Sequence, residues 1–144
     1  MVNRLLWDTN VLSATRTPHR QMPSFRHWVA EIDVSICYVS SLTWMEIQVG
    51  VLKLRQTDPV QARLVDEWFQ CAYEEFRHRT VEFDDAAASM TAPLWLMRSR
   101  GPIDTLIAGT ALAYGMDLVT RNVSDFADIP GLAIINPWNE MARR

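Results

Sequence analysis

Four carboxylates stand where apolar segments of this chain break off or turn: Asp8, Glu46, Asp104 and Asp125. Asp8 ends the run Leu5-Leu6-Trp7 and is followed by Thr9-Asn10. That pattern sets a negative charge at the carboxyl end of a buried strand, where open α/β sheets place their ligands. Glu46 lies inside an apolar segment with Gly50 one turn on, and Asp104 follows Gly101-Pro102-Ile103 at the start of a run of small and apolar residues. Taken singly, each acid has a structural explanation. Asp8 can cap the next helix, Glu46 can pair with Lys53 or face solvent, and Asp104 gains from a helix dipole. One shared site accounts for all four. Clustered carboxylates repel unless protons or cations intervene, and hard oxygen ligands select Mg²⁺ or Mn²⁺. Such a set suits phosphodiester hydrolysis, in which cations activate water and offset charge on the phosphate and the leaving oxygen.

Convergence of residues so distant in sequence needs a particular scaffold. Short apolar strands are predicted over residues 2–7, 34–39, 80–83, 117–120 and 133–135, with helices between them. A loop broken by Pro18 and Pro23 leads to a helix from Ser24 with Phe25, Trp28, Val29 and Ile32 at helical spacing. Ser40-Ser41 caps a helix over about 42–52 that is apolar nearly all round and is expected to be buried. Asp58-Pro59 opens the next, with Ala62, Val65, Trp68, Phe69 and Ala72 as its core stripe. Asp84-Asp85 reads as the cap of an Ala-rich helix rather than a metal pair, because adjacent side chains diverge. Pro93 should kink or end that helix. Strands alternating with helices imply an α/β fold with a central, mostly parallel sheet covered on both faces, and the ends of its strands bring the four acids to one edge.

A length of 144 residues with 49% hydrophobic content predicts a single domain spanning 1–144. Charge-free stretches fall short of a membrane span and no basic-then-apolar leader is visible, so a cytoplasmic protein is expected. Cys37 and Cys71 are expected as buried thiols rather than a disulfide or zinc site. A net charge of −3 argues against strong non-specific nucleic-acid binding. It leaves room for a nuclease whose acids become attractive to phosphate once a cation is held.

Leu5-Leu6-Trp7-Asp8-Thr9-Asn10-Val11-Leu12, Trp44-Met45-Glu46-Ile47-Gln48-Val49-Gly50, Asp104-Thr105-Leu106-Ile107-Ala108 and Val119-Thr120-Arg121-Asn122-Val123-Ser124-Asp125-Phe126 resemble, in order, the motifs of PIN-domain ribonucleases. Within that group the chain is most similar to the VapC and FitB toxins of bacterial toxin–antitoxin pairs. The resemblance implies a PIN-like three-layer α/β/α fold and metal-dependent endoribonuclease activity with Mg²⁺ or Mn²⁺ and no covalent enzyme intermediate. It implies Asp8, Glu46 and Asp104 as metal-binding acids and Asp125 as the fourth, with Asn122 able to fill part of that role. Thr120 and Asn10 are then expected to hydrogen-bond the carboxylates, and Arg121, Arg98 and Arg100 are candidates for phosphate contacts. It also implies an RNA substrate, a homodimer and a cognate antitoxin that places a segment over the acids. Pro93 departs from the family's helix pattern.

Two other readings fit the residues less well. A phosphatase or phosphotransferase using Asp8 as nucleophile would, in the haloacid-dehalogenase pattern, want an Asp where Asn10 stands. A non-catalytic module binding RNA or a partner would leave the acids structural.

Overall fold

The computed structural model describes residues 3–97 and 100–139. Five parallel strands, β1 (Leu5–Trp7), β2 (Cys37–Ser40), β3 (Thr80–Val81), β4 (Asp117–Val119) and β5 (Ile134–Ile135), form one sheet in the order β3-β2-β1-β4-β5. Seven helices connect and flank them: α1 (Thr9–Ala14), α2 (Pro23–Glu31), α3 (Ser41–Thr57), α4 (Pro59–Phe76), α5 (Asp85–Trp95), α6 (Pro102–Ala113) and α7 (Val123–Phe126). Side chains alternate across a strand, and β1 shows what this does. Leu5 and Trp7 enter a core with Val11, Phe25, Trp44 and Phe76, supplied by α1 to α4. Leu6 enters the opposite core with Leu94, Ile107, Ala111 and Phe126, supplied by α5 to α7. Every residue of β1 is therefore buried, as a parallel strand between two helical layers requires. No helix among the described residues is long and apolar enough to cross a membrane.

Helix starts follow local capping chemistry. Asp8 Oδ1 accepts from Val11 N at 2.9 Å, Ser40 Oγ from Leu42 N at 3.1 Å, Asp58 Oδ1 from Gln61 N at 3.1 Å and Asp84 Oδ1 from Ala87 N at 3.0 Å. Pro59 and Pro102 occupy first-turn positions, where a missing N–H costs nothing.

Several sequence expectations need correction. Residues 34–36 form a 3₁₀ turn, and the strand begins only at Cys37. Asp33 Oδ1 accepts from both the backbone N and the hydroxyl of Ser35, and that local turn prevails over the apolar alternation. Val2 lies outside the described residues, and from residue 3 on the first strand is shorter than expected, Leu5–Trp7, as is the strand predicted over 80–83, Thr80–Val81. α3 runs past residue 52 to Thr57, and it is not buried all round: Met45, Val49 and Leu52 are 44%, 42% and 55% exposed. A helix lying on one sheet buries one stripe, here Trp44, Ile47 and Val51. Cys37 is a buried free thiol, but Cys71 is an exposed one, carried on the outer side of α4. Pro93 is accommodated inside α5, which ends two residues later at Trp95.

α5 and α6 approach each other through Gly109. A Cβ there would stand 1.8 Å from Thr91 Oγ1 and 2.9 Å from Thr91 Cα, while the Thr91 hydroxyl is already committed to Ala87 O at 2.7 Å. Gly109→Ala is expected to destabilise the fold by about 2 kcal/mol, because overpacking of this size outweighs the ~1 kcal/mol gain in helix propensity. Urea denaturation reads the difference, and a midpoint at or above the parent's would contradict the close packing.

Candidate active site

The strand order places a topological switch at β1 and β4. The chain leaves β1 towards β2 and β3 on one side, then returns to β4 and β5 on the other. Asp8 N donates to Val119 O at 3.0 Å, so Asp8 and Thr120, each the first residue past its strand, lie side by side. Asp8 is 4% exposed. Its carboxylate takes a hydrogen bond from the Thr120 hydroxyl besides the one from Val11 N. Thr120 Oγ1 in turn accepts from Asn122 N at 3.1 Å, which leaves the hydroxyl proton for Asp8. Burial still prevails over these two donors. It pushes the Asp8 carboxyl up to about 6, with the charges of Asp104 and Glu46 acting in the same direction.

Glu46 comes from the second turn of α3. Thr9 Oγ1 donates to Glu46 Oε1 at 2.5 Å and stands 3.0 Å from Thr43 Oγ1. Having given its proton to Glu46, Thr9 accepts from Thr43, so a relay of two hydroxyls fixes the carboxylate. Asp104 sits in the first turn of α6. Its carboxyl is raised by burial and then by Glu46 and Asp125, with Arg100 acting in the opposite sense. Asp125 lies on α7, just past β4. The four acids are thus electrostatic neighbours. As placed, no three acidic, histidine or cysteine side chains among the described residues gather within range of one ion.

The other nominated residues divide. Thr120 is in contact with Asp8, whereas Asn10 and Asn122 are exposed. Asn10 lines a cleft with Arg121 and Trp138, and the hydroxyl that reaches an acid from α1 is that of Thr9, its neighbour. Arg121 is exposed, its guanidinium 5.3 Å from the Trp138 ring centroid. Arg100 is internal: its side chain is fully buried, Nε donates to Asp125 O at 2.8 Å and Nη2 pairs with Asp128 at 2.5 Å. It ties the entry to α6 to α7 and so holds Asp125 near Asp104. Arg98 lies outside the described residues. The sequence reading missed Thr9 and Thr43. The available signal was spacing, since Thr43 precedes Glu46 by three residues on one helix face. The hydrogen bond from Trp138 Nε1 to Gln21 Oε1, across 117 residues, has no local signal in the sequence.

Residues 5–132 match the PIN-domain family model, a span that takes in all four acids. Over 62 residues the chain is 39% identical to Ribonuclease VapC14 of Mycobacterium tuberculosis, covering 43% of this chain and 59% of that relative, less than two-thirds of its length. Over 144 aligned positions it is 29% identical to VapC ribonuclease Y4jK of Sinorhizobium fredii, covering 93% of this chain and 97% of the relative. The crystal structure of FitAcB from Neisseria gonorrhoeae superposes with a TM-score of 0.80 at 25% identity, covering 94% of this chain and 99% of that one. A parallel sheet with Asp8 at its switch point, and a family model matched from the first strand to Leu132, make the chain a member of the PIN-domain family.

Proposed function

We propose that this protein is the endoribonuclease toxin of a toxin–antitoxin pair, hydrolysing RNA phosphodiester bonds at Asp8, Glu46, Asp104 and Asp125 with Mg²⁺ or Mn²⁺. The observation that carries the reading is Asp8: a buried carboxylate at the sheet's switch point, pushed up to about 6, with Asp104 and Glu46 adding to its cost. Relatives named VapC ribonucleases support the reaction.

The donor set fits a hard divalent cation in kind. It is all oxygen, it is self-repelling, and Mg²⁺ characteristically keeps several waters, so that one or two direct carboxylates suffice. Asp8, Glu46 and Asp104 would hold it, with Asp125 the fourth acid and Asn122 beside it. When bound, the cation supplies a nucleophile from water at neutral pH and offsets charge on the phosphate. The chain's own groups do the positioning. Val11 N and Thr120 orient Asp8, Thr9 orients Glu46, and Arg100 anchors the Asp125 segment by its carbonyl. With a net charge of −3, the protein depends on the cation and on exposed arginines such as Arg121 to receive a polyanion. The homodimer and the antitoxin carry over from the family as part of this proposal. Met45, Val49 and Leu52 on α3, and Trp95 and Leu96 at the end of α5, are exposed apolar side chains that such partners would cover.

The reading predicts discrete cleavage of end-labelled RNA by the purified protein with Mg²⁺ or Mn²⁺, abolished by EDTA. Asp8→Asn and Asp104→Asn are each expected to lower the rate by about 100-fold or more, since losing even an outer partner of a metal ligand costs ~10–100-fold. Parental rates in both variants would sink the site assignment.

Linkage gives an independent readout. The Asp8 carboxyl moves from 3.8 to about 6 on folding, so the protonated form is the one the fold favours. Its stabilising contribution is whole below 3.8 and is lost as pH rises through about 6. At pH 7.5 the ionised, cation-free form therefore costs up to about 3 kcal/mol. Asn keeps the cap without the charge, so Asp8→Asn should melt higher than the parent in EDTA at pH 7.5, the gap closing towards pH 4. Millimolar Mg²⁺ should raise the Tm of the parent but not of the variant. A variant that melts lower than the parent in EDTA would contradict this account.

A further inference from the structure

We propose that the cleft between α1, Arg121 and Trp138 is a nucleotide subsite flanking the scissile phosphate, and that Gln21 within it selects uracil and guanine, which carry a carbonyl oxygen where cytosine and adenine carry an amino group. The proposal rests on the ribonuclease reading and assigns that site a base preference.

Position comes first. Thr120 touches Asp8 and the next residue, Arg121, leaves the acids to line the cleft, while Asn10, two residues past Asp8, lines it from α1. Ser13 borders both this cleft and the groove that holds Thr9 and Glu46. The two hollows thus adjoin at Ser13 on α1, and at about 320 Å³ the cleft has the capacity of a small-molecule site. A strand of RNA with its phosphate at the acids would lay a neighbouring nucleotide here.

The walls are rigid. Trp138 is stacked on Phe25 at 4.3 Å with 21° between the rings, its carbonyl accepts from Ser24 Oγ at 2.9 Å, and its N–H donates to Asn136 Oδ1 at 3.0 Å. Arg121 lies over Trp138, 5.3 Å from the ring centroid. Among the described residues Arg121 makes no ion pair. A guanidinium held by a cation–π contact and paired with no acid among the described residues is pre-organised for a phosphate, with less rotamer entropy to lose on binding.

The base preference follows from one hydrogen bond. Trp138 Nε1–H can only donate, and it donates to Gln21 Oε1 at 3.2 Å. That fixes which end of the Gln21 amide is which. Its oxygen is turned to the indole, and its nitrogen keeps two donors for the cleft that the side chain lines. Donors read acceptors. Uracil offers O4 and guanine offers O6 with N7, whereas cytosine and adenine present amino groups at the corresponding edge, and unstacked RNA bases are read along such edges. Asn10, Ser13 and Thr17 complete a polar lining.

The test measures binding of fluorescein-labelled, uncleavable 2′-O-methyl hexamers of uridine and of cytidine by anisotropy, with Mg²⁺ present. The parent should bind the uridine hexamer about tenfold tighter than the cytidine hexamer, a difference within the range of one good base-edge contact. Gln21→Glu still accepts from Trp138 but offers no donor, and it should abolish or reverse that ratio with Tm unchanged. Arg121→Gln should weaken both hexamers about tenfold, and Arg121→Met, which keeps the packing on Trp138, should do the same. Equal binding of the two hexamers by the parent, an unaltered ratio in Gln21→Glu, or unaltered affinity in both Arg121 variants would overturn the proposal. Failure of the parent ribonuclease reading is visible separately. Uridine-selective, Arg121-dependent binding without cleavage of natural RNA would leave the subsite standing and remove the nuclease, and cleavage without the uridine preference would do the reverse.

Discussion

A carboxylate that must be buried and charged organises this molecule. Asp8 follows a strand closed in by helices on both faces, and its neighbours Asp104 and Glu46 raise the cost of its ionisation rather than lowering it. The fold tolerates this with two hydrogen bonds, from Val11 N and Thr120, supplied by the first turn of α1 and the end of β4. The first is the local cap of α1, and the second follows from placing β4 beside β1. A site of this kind trades stability for the ability to hold something that cancels its charge.

The layers around it divide the labour. The core of α1 to α4 is rich in large aromatics, with Trp7 against Trp28 and Phe76, and Trp44 against Phe69 and Tyr73. On the opposite side, small residues of α6, Ala108, Gly109 and Ala111, let it pack closely on α5. Close backbone packing on that side holds the start of α6, and hence Asp104, in register with the strand ends. Aromatic packing on the other side holds α3, whose turn of Thr43 and Glu46 meets Thr9 across a short gap.

How much of this was legible depended on the range of the interaction. Helix starts at Ser41, Pro59, Asp85 and Pro102 could be read because capping is settled within three or four residues. β1 could be read because a wholly apolar tripeptide ending in Asp has few other uses. The turn at 34–36 was hidden by an alternating pattern that Asp33 and Ser35 override locally. The outward face of α3 could not be seen, since composition alone does not show that Met45 and Val49 turn away from the sheet while Trp44 and Ile47 face it. Arg100 looked like a surface cation because its partner Asp128 lies 28 residues on. Thr9 was overlooked in favour of Asn10 because adjacent residues on α1 differ by a rotation that only its docking against α3 fixes. The placement of the acids was read from where they interrupt apolar runs. Their mutual distances, which decide how an ion is held, are set by tertiary contacts no local pattern encodes.

The order in which the sheet is filled has a bearing on synthesis. β1 is the central strand and the first to leave the ribosome, yet its partner on one side is β4, residues 117–119. Until that segment emerges, Asp8 has neither Thr120 as donor nor Asp125 as neighbour, and one edge of β1 has no strand beside it. A nascent chain therefore carries three of the four acids without the geometry that unites them. The surroundings of Asp8 are therefore complete only when β4 has docked beside β1.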